Sequence, residues 1–97
     1  MPPLLKDTLH LLEHRPAAYV LLGCDGAYLY KGSSRDLVER MHDHVAGRSL
    51  RTRSRRPLRL VHFEYCDDVT SAQKKERYLK SGHGRAWLKR HMDQSNG

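Results

Sequence analysis

The chain has 97 residues, 38% of them hydrophobic and 30% charged, with a formal net charge of +7. That length holds one domain with one modest core, and the balance of residues excludes a disordered chain. No apolar run nears the roughly 20 residues of a membrane span, and the stretch "MPPLLKDTLHLLEHRP" is too charged for a secretory signal, so the expectation is a cytoplasmic protein with no membrane partner.

Residues 3–14, with Leu4, Leu5, Leu9, Leu11 and Leu12, suggest a short helix ended by Pro16. "AAYVLLGC", 17–24, is apolar on both faces and reads as a buried strand. Asp25-Gly26 is a two-residue hairpin signal, and "AYLYKG", 27–32, is the returning strand. Ser33 or Ser34 can cap a helix over about 35–46, closed by Gly47. "GRSLRTRSRRPLR", 47–59, holds six arginines and no acid; it reads as a cationic loop that attracts polyanions, nucleic acid before membrane. "LRLVHFEYC", 58–66, is a third strand. Thr70 and Gln73 form a capping box for a helix of about 71–81, and Gly82 and Gly84 break the chain before a last helix of about 85–92. The expected fold is α+β: a small three-stranded, mainly antiparallel sheet flanked by helices, with 1–16 as an N-terminal helical extension, 17–92 as the domain and 93–97 as a flexible tail. Cys24 and Cys66, 42 positions apart, fit neither a zinc spacing nor a disulfide framework and are expected as reduced, half-buried thiols.

A two-residue turn at 25–26 pairs Cys24 with Ala27, Leu21 with Tyr30 and Tyr19 with Gly32. Tyr19 and Tyr30 then share a face as diagonal neighbours, and Gly32 leaves that face open for a ligand. Arg40 and His44 are one helical turn apart and border the stripe of Leu37, Met41 and Val45. An arginine there can clamp a phosphate, and a histidine there can move a proton near neutral pH. Glu76 lies on the same helical face as Ala72 and Leu79, where a carboxylate is costly unless it is paired or holds a cation. Two readings stand: an ion pair with an arginine such as Arg40, or a ligand to a hard divalent metal.

Taken together, "AAY" at 17–19, "YKG" at 30–32, Arg40, His44 and Glu76 resemble the GIY-YIG nuclease domain in order and spacing, over about residues 17–89, and "ERYLKSGHGRAWLK" is similar to the tail of its small standalone bacterial members. The resemblance implies a metal-dependent endonuclease. Tyr19 and Tyr30 would be its paired tyrosines, Arg40 the phosphate contact, His44 a proton-transfer residue, Glu76 the ligand of a single Mg2+ or Mn2+, and Gly32 a tight-turn glycine. DNA is the expected partner, held by Lys31, Ser33, Arg48, Arg51, Arg53, Arg55 and Arg56, with structure-selective or single-strand preference. Ala17-Ala18 replaces Gly-Ile of the first motif, Lys31 replaces Ile of the second, and Ser33 stands where other members carry lysine. The alternatives are a DNA- or RNA-binding module without cleavage, and a nuclease that needs a partner protein. "HLLEH", 10–14, matches a zinc peptidase pattern but lies in the short N-terminal stretch and is set aside, with His10 and His14 expected at the surface.

Overall fold

Strand β1, Ala17–Leu22, is buried along its whole length, which explains why its sequence is apolar on both faces: it is the central strand. The structure, a computed structural model, describes residues 2–95. The sheet has the order β2-β1-β3, with β2 at Leu29–Ser34 and β3 at Arg59–Tyr65, both antiparallel to β1. The expected register holds, with Tyr19 opposite Gly32 and Leu21 opposite Tyr30. Pairing stops at Leu22–Leu29, because Asp25 Oδ1 accepts from Ala27 and Tyr28 N–H and Cys24 N–H donates to the Arg55 carbonyl. These local bonds replace the last rungs of the ladder.

The two faces of β1 feed two cores. Ala17, Tyr19 and Leu21 pack with Leu37 and Met41 of helix α1, Leu37–Ala46, and with Leu5, Leu58 and Leu60. Ala18 and Val20 pack with Leu79 of α2, Val69–Lys80, and Leu88 of α3, Gly82–Ser95. Each fully buried leucine contributes about 1.5–3 kcal/mol. So α1 covers one face and α2 with α3 the other.

Several boundaries differ from expectation for local reasons. β2 runs on through Ser33 and Ser34, so Asp36 caps α1 instead, accepting from Glu39 N–H at 3.1 Å; Gly47, at φ 80°, closes it as expected. Asp68 caps α2 by accepting from Ser71 N–H at 2.7 Å, which starts that helix before Thr70. Only Ser81 separates α2 from α3. Gly84 lies inside α3, where a Cβ would collide with the Tyr78 carbonyl, so here glycine permits a close helix crossing. α3 continues to Ser95, so residues 93–95 of the expected tail are helical; 96 and 97 lie outside the described residues.

The N-terminal stretch is two short 3-10 turns, Leu5–Asp7 and Leu9–Leu11, and not one helix. Isolated short helices are marginal, and this segment gains more by docking: Leu4 bridges to Arg59, and Leu5 is buried with its N–H on the Leu58 carbonyl at 2.8 Å. The arginine segment is also folded, with Ser49, Thr52 and Leu58 buried and a 3-10 turn at Arg53–Arg55. Both cysteines are free; Cys66 is half-buried, as expected, whereas Cys24 is exposed. Among the described residues no helix is long and apolar enough to cross a membrane.

Candidate active site

The hairpin register puts Tyr19 and Tyr30 on the α1 face of the sheet, with ring centroids 6.2 Å apart. α1 brings His44 against both, 5.5 Å from each ring. The Tyr19 hydroxyl and His44 Nε2 are hydrogen-bonded at 2.9 Å. Arg40, one turn earlier, lies beside both tyrosine hydroxyls, close enough for its charge to act on them, and 3.7 Å from Asp43. Tyr19 and His44 have no solvent exposure, whereas Tyr30 is half-buried and reaches solvent.

This environment sets the ionisation of the group. Burial, then the neighbouring Tyr30, pushes the Tyr19 hydroxyl well above the usual tyrosine range, against the pull of Arg40. Burial, then the Arg40 charge, pushes the His44 imidazole down to about 4. His44 is therefore neutral at physiological pH and a weak base, unlike the near-neutral proton carrier that its residue type suggests.

Gly32 has a different role from the one expected. It lies within β2 without a positive φ, so it is not a turn glycine. The space above it is not open either. A Cβ there would meet Tyr19 Oη at 2.5 Å and Cζ at 2.6 Å, so the Tyr19 ring lies over the bare backbone of residue 32.

Glu76 approaches from the opposite face, on α2. Ser33, the neighbour of Gly32, pairs with Ala18 and so points to that face. Its hydroxyl donates to Glu76 Oε1 at 2.6 Å, and Lys80 Nζ donates to Oε2 at 2.7 Å. The expected pair with Arg40 is not formed, because the sheet separates α1 from α2 and the salt bridge goes to Lys80, four residues on. Partial burial raises the Glu76 carboxyl, but the bonds from Lys80 and Ser33 outweigh it and leave it below the usual carboxylate value. Its charge still reaches around β2 to raise Tyr19. β2 is an edge strand, so the site straddles it: tyrosines, Arg40 and His44 on one side, Glu76 on the other. Among the described residues no three His, Cys, Asp or Glu side chains gather as a metal site. The side chain of Glu76 is 23% exposed and already holds one cation, the Lys80 ammonium. Such a donor suits a hard divalent ion that takes one carboxylate and completes its shell with water.

The remaining expected contacts divide. Lys31 lies on the Glu76 side, opposite Val20, where burial and the charges of Arg85 and Lys80 lower its ammonium. Arg48 is held by Asp43 at 2.7 Å. Arg55 pairs with Asp25 and stacks on Tyr28. Arg56 donates to the Val45 and Arg53 carbonyls. Arg51 and Arg53 are exposed, and their side chains have no partner among the described residues. His10 and His14 are exposed, and His14 turns to Asp36 at 2.9 Å. Two site neighbours escaped the sequence reading. Lys80 was signalled by its i+4 spacing from Glu76. Thr52, fully buried with Oγ1 2.7 Å from His44 Nδ1, had no signal, being one hydroxyl among arginines.

The family model for the GIY-YIG catalytic domain matches residues 16–91. Similar curated proteins include a UPF0213 protein of Haloquadratum walsbyi, 37% identical over 62 residues, which covers 63% of this chain and 70% of that protein. A UPF0213 protein of Lactiplantibacillus plantarum is 42% identical over 74 residues, covering 73% of this chain and 72% of the other. A third, from Syntrophus aciditrophicus, is 34% identical over 62 residues, covering 62% and 71%. No solved structure gives a significant match.

Proposed function

This chain belongs to the GIY-YIG family, and from that membership we propose that it is a metal-dependent endonuclease that hydrolyses phosphodiester bonds in DNA. The observation that carries the reading is the cluster on the α1 face: Tyr19 hydrogen-bonded to His44, His44 against both tyrosine rings, Arg40 beside both hydroxyls, and a carboxylate just across the edge strand. A module that only binds nucleic acid has no use for a carboxylate inside a basic surface.

Each residue has a distinct task in this reading. Arg40 contacts a non-bridging oxygen of the scissile phosphate and stabilises the charge that grows there. Tyr30 is the tyrosine that reaches solvent, so it meets and orients the attacking water. Tyr19, buried behind it, aligns Arg40 and His44. Glu76 would hold Mg2+ or Mn2+, a Lewis acid that neutralises the leaving oxygen; Ser33 orients its carboxylate. Arg51 and Arg53 are free for the phosphate backbone. So few free cations on one short segment favour recognition of shape or single strands over base sequence.

The test is cleavage of end-labelled single-stranded, duplex and branched DNA, and of RNA, by purified protein with Mg2+, Mn2+ or EDTA. Metal-dependent nicking that is lost in Tyr30→Phe and Arg40→Ala is expected. Salt-dependent binding without cleavage of any substrate would overturn the reading in favour of a binding module; cleavage that appears only on adding a cell fraction would point to a partner protein.

A further inference from the structure

The Glu76 carboxylate is held at both oxygens. Ser33 Oγ donates to Oε1 at 2.6 Å, and Lys80 Nζ donates to Oε2 at 2.7 Å. The two partners differ in what an arriving cation would meet. The hydroxyl is neutral and leaves Oε1 a lone pair to spare, so it can stay. The ammonium is a like charge on the same carboxylate, so Lys80 and a second cation oppose each other there. Lys80 can leave easily. Its side chain is 54% exposed, its four-carbon stem is flexible, and an exposed i,i+4 pair contributes little.

A destination for the ammonium lies close by. Lys31 is two residues before Ser33 on β2 and shares its face. Val20, its partner in the sheet, packs with Leu79 and Leu88. Lys80 follows Leu79 on α2, and Arg85 is in the first turn of α3, three residues before Leu88. Lys31 is close enough to Arg85 and Lys80 for both charges to act on it. The side chains of Lys31 and Arg85 have no hydrogen-bond or ion-pair partner among the described residues. Cations gathered in this way repel one another and attract an anion.

We propose that Lys80 is an exchangeable counter-ion: in the free protein it occupies Glu76, and when nucleic acid binds it passes to a backbone phosphate beside Lys31 and Arg85, leaving the carboxylate to a divalent ion. The inference rests on the nuclease reading, in which Glu76 holds the metal. The exchange couples the two ligands. A phosphate draws the ammonium off Glu76 and so favours the metal, and by reciprocity a metal on Glu76 frees the ammonium for the phosphate. Without nucleic acid, Lys80 restrains metal binding.

Two measurements test this. Mn2+ binding in the absence of nucleic acid is followed by loss of the free-ion EPR signal. Glu76→Gln should lose the site, and Lys80→Gln should bind Mn2+ about threefold to tenfold more tightly than wild type. Lys74→Gln, two residues from Glu76 and so on another side of α2, should change the affinity less than about twofold. Binding of a labelled single-stranded oligonucleotide is then followed by fluorescence anisotropy in a Tyr30→Phe background, which leaves the strand uncut. Lys80→Gln should weaken it about fivefold with saturating Mg2+ and less than about twofold in EDTA, where Glu76 still holds the ammonium. Unchanged Mn2+ affinity in Lys80→Gln while Glu76→Gln loses the site, or equal weakening with Mg2+ and in EDTA, would overturn the exchange and leave the nuclease reading standing. Mn2+ affinity untouched by Glu76→Gln would overturn both the exchange and the metal site of that reading.

Discussion

Replacing Gly32 by alanine tests the packing of the site directly. The new Cβ would stand 2.5 Å from Tyr19 Oη, 2.6 Å from Cζ and 3.0 Å from Tyr30 Cε1. Carbon contacts settle at about 3.5–4.0 Å, so the Tyr19 ring would have to retreat by about 1 Å. It has nowhere to go: it is fully buried, bonded to His44, and packed on Tyr30. Overpacking of this kind costs about 1–3 kcal/mol, and a strained Tyr19–His44 bond adds about 1 kcal/mol. Alanine recovers about 0.5–1 kcal/mol of backbone entropy in the strand. The net loss is about 2 kcal/mol, which for a chain of this size lowers Tm by about 10 °C. Displacing the ring should also slow cleavage about a hundredfold. Thermal melts followed by circular dichroism, with cleavage assays on the same samples, measure both. In a Tyr19→Leu background the cost of Gly32→Ala should shrink to about 0.5 kcal/mol or less, because the clash is with Tyr19. A Gly32→Ala protein that melts and cleaves like wild type, or one whose penalty persists without Tyr19, would refute the reasoning.

Glu76→Gln should abolish cleavage while DNA binding in a gel-shift assay stays equal or tightens; Lys80 is 54% exposed, so no charge is stranded, and losing the i,i+4 pair and weakening the Ser33 bond together cost about 1–1.5 kcal/mol, about 5–10 °C of Tm. Replacing Arg51 and Arg53 together by alanine should flatten the salt dependence of binding by about 1.5 in slope, measured by fluorescence anisotropy at several salt concentrations. Arg55→Ala should instead show mainly in the melt, because Arg55 is engaged with Asp25 and Tyr28. Tyr30→Phe should lose cleavage at nearly wild-type stability, whereas Tyr19→Phe should also lower stability by about 1–3 kcal/mol by unpairing buried His44, a difference that urea unfolding resolves. His44 gives the pH dependence: its pKa is about 6.5 unfolded and about 4 folded, so as pH falls from 6.5 to 4 the unfolded chain takes up a proton that the native state refuses, and on the order of 3 kcal/mol of stability is lost. Asp36, Asp43 and Glu76 have lowered pKa values, so their contributions are lost at the acid end of that window and below it, and His44→Gln should flatten the decline through its upper part.

The pairing of the tyrosines was legible because it depends on parity. Asp25-Gly26 fixes which residues face each other, and the alternation of strand side chains then puts Tyr19 and Tyr30 on one face, although the true connection is wider than two residues. Arg40 and His44 were legible through the four-residue spacing of a helix. What the sequence did not carry is the order of strands and the choice of face. Nothing in "YKGSS" says that β2 is an edge, or that α1 and α2 lie on opposite sides of it. Without that order an arginine on one helix and a glutamate on another, here Arg40 and Glu76, look like natural partners. Thr52 was invisible for a similar reason: its partner is eight residues away across a segment whose composition suggests an exposed loop. The N-terminal stretch misled because its leucines fit a helix, while docking against Leu58 and Arg59 governs its shape.

The edge position of β2 is what brings groups on the two faces of the sheet close together. A sheet ordinarily separates its faces by a layer of backbone with side chains on both sides. At residue 32 the layer is thinnest: glycine adds no side chain, and among the described residues β2 has no further strand beyond it. Tyr19 leans over the bare backbone from one face, and Ser33, the next residue, holds Glu76 on the other. The carboxylate charge accordingly registers at the Tyr19 hydroxyl. An open edge invites pairing with another strand, and β2 counters this with Lys31, Ser33 and Ser34 in place of apolar residues. In the nuclease reading proposed above, a nucleic-acid backbone would run along this polar rim, between Arg40 on one side and Glu76 on the other.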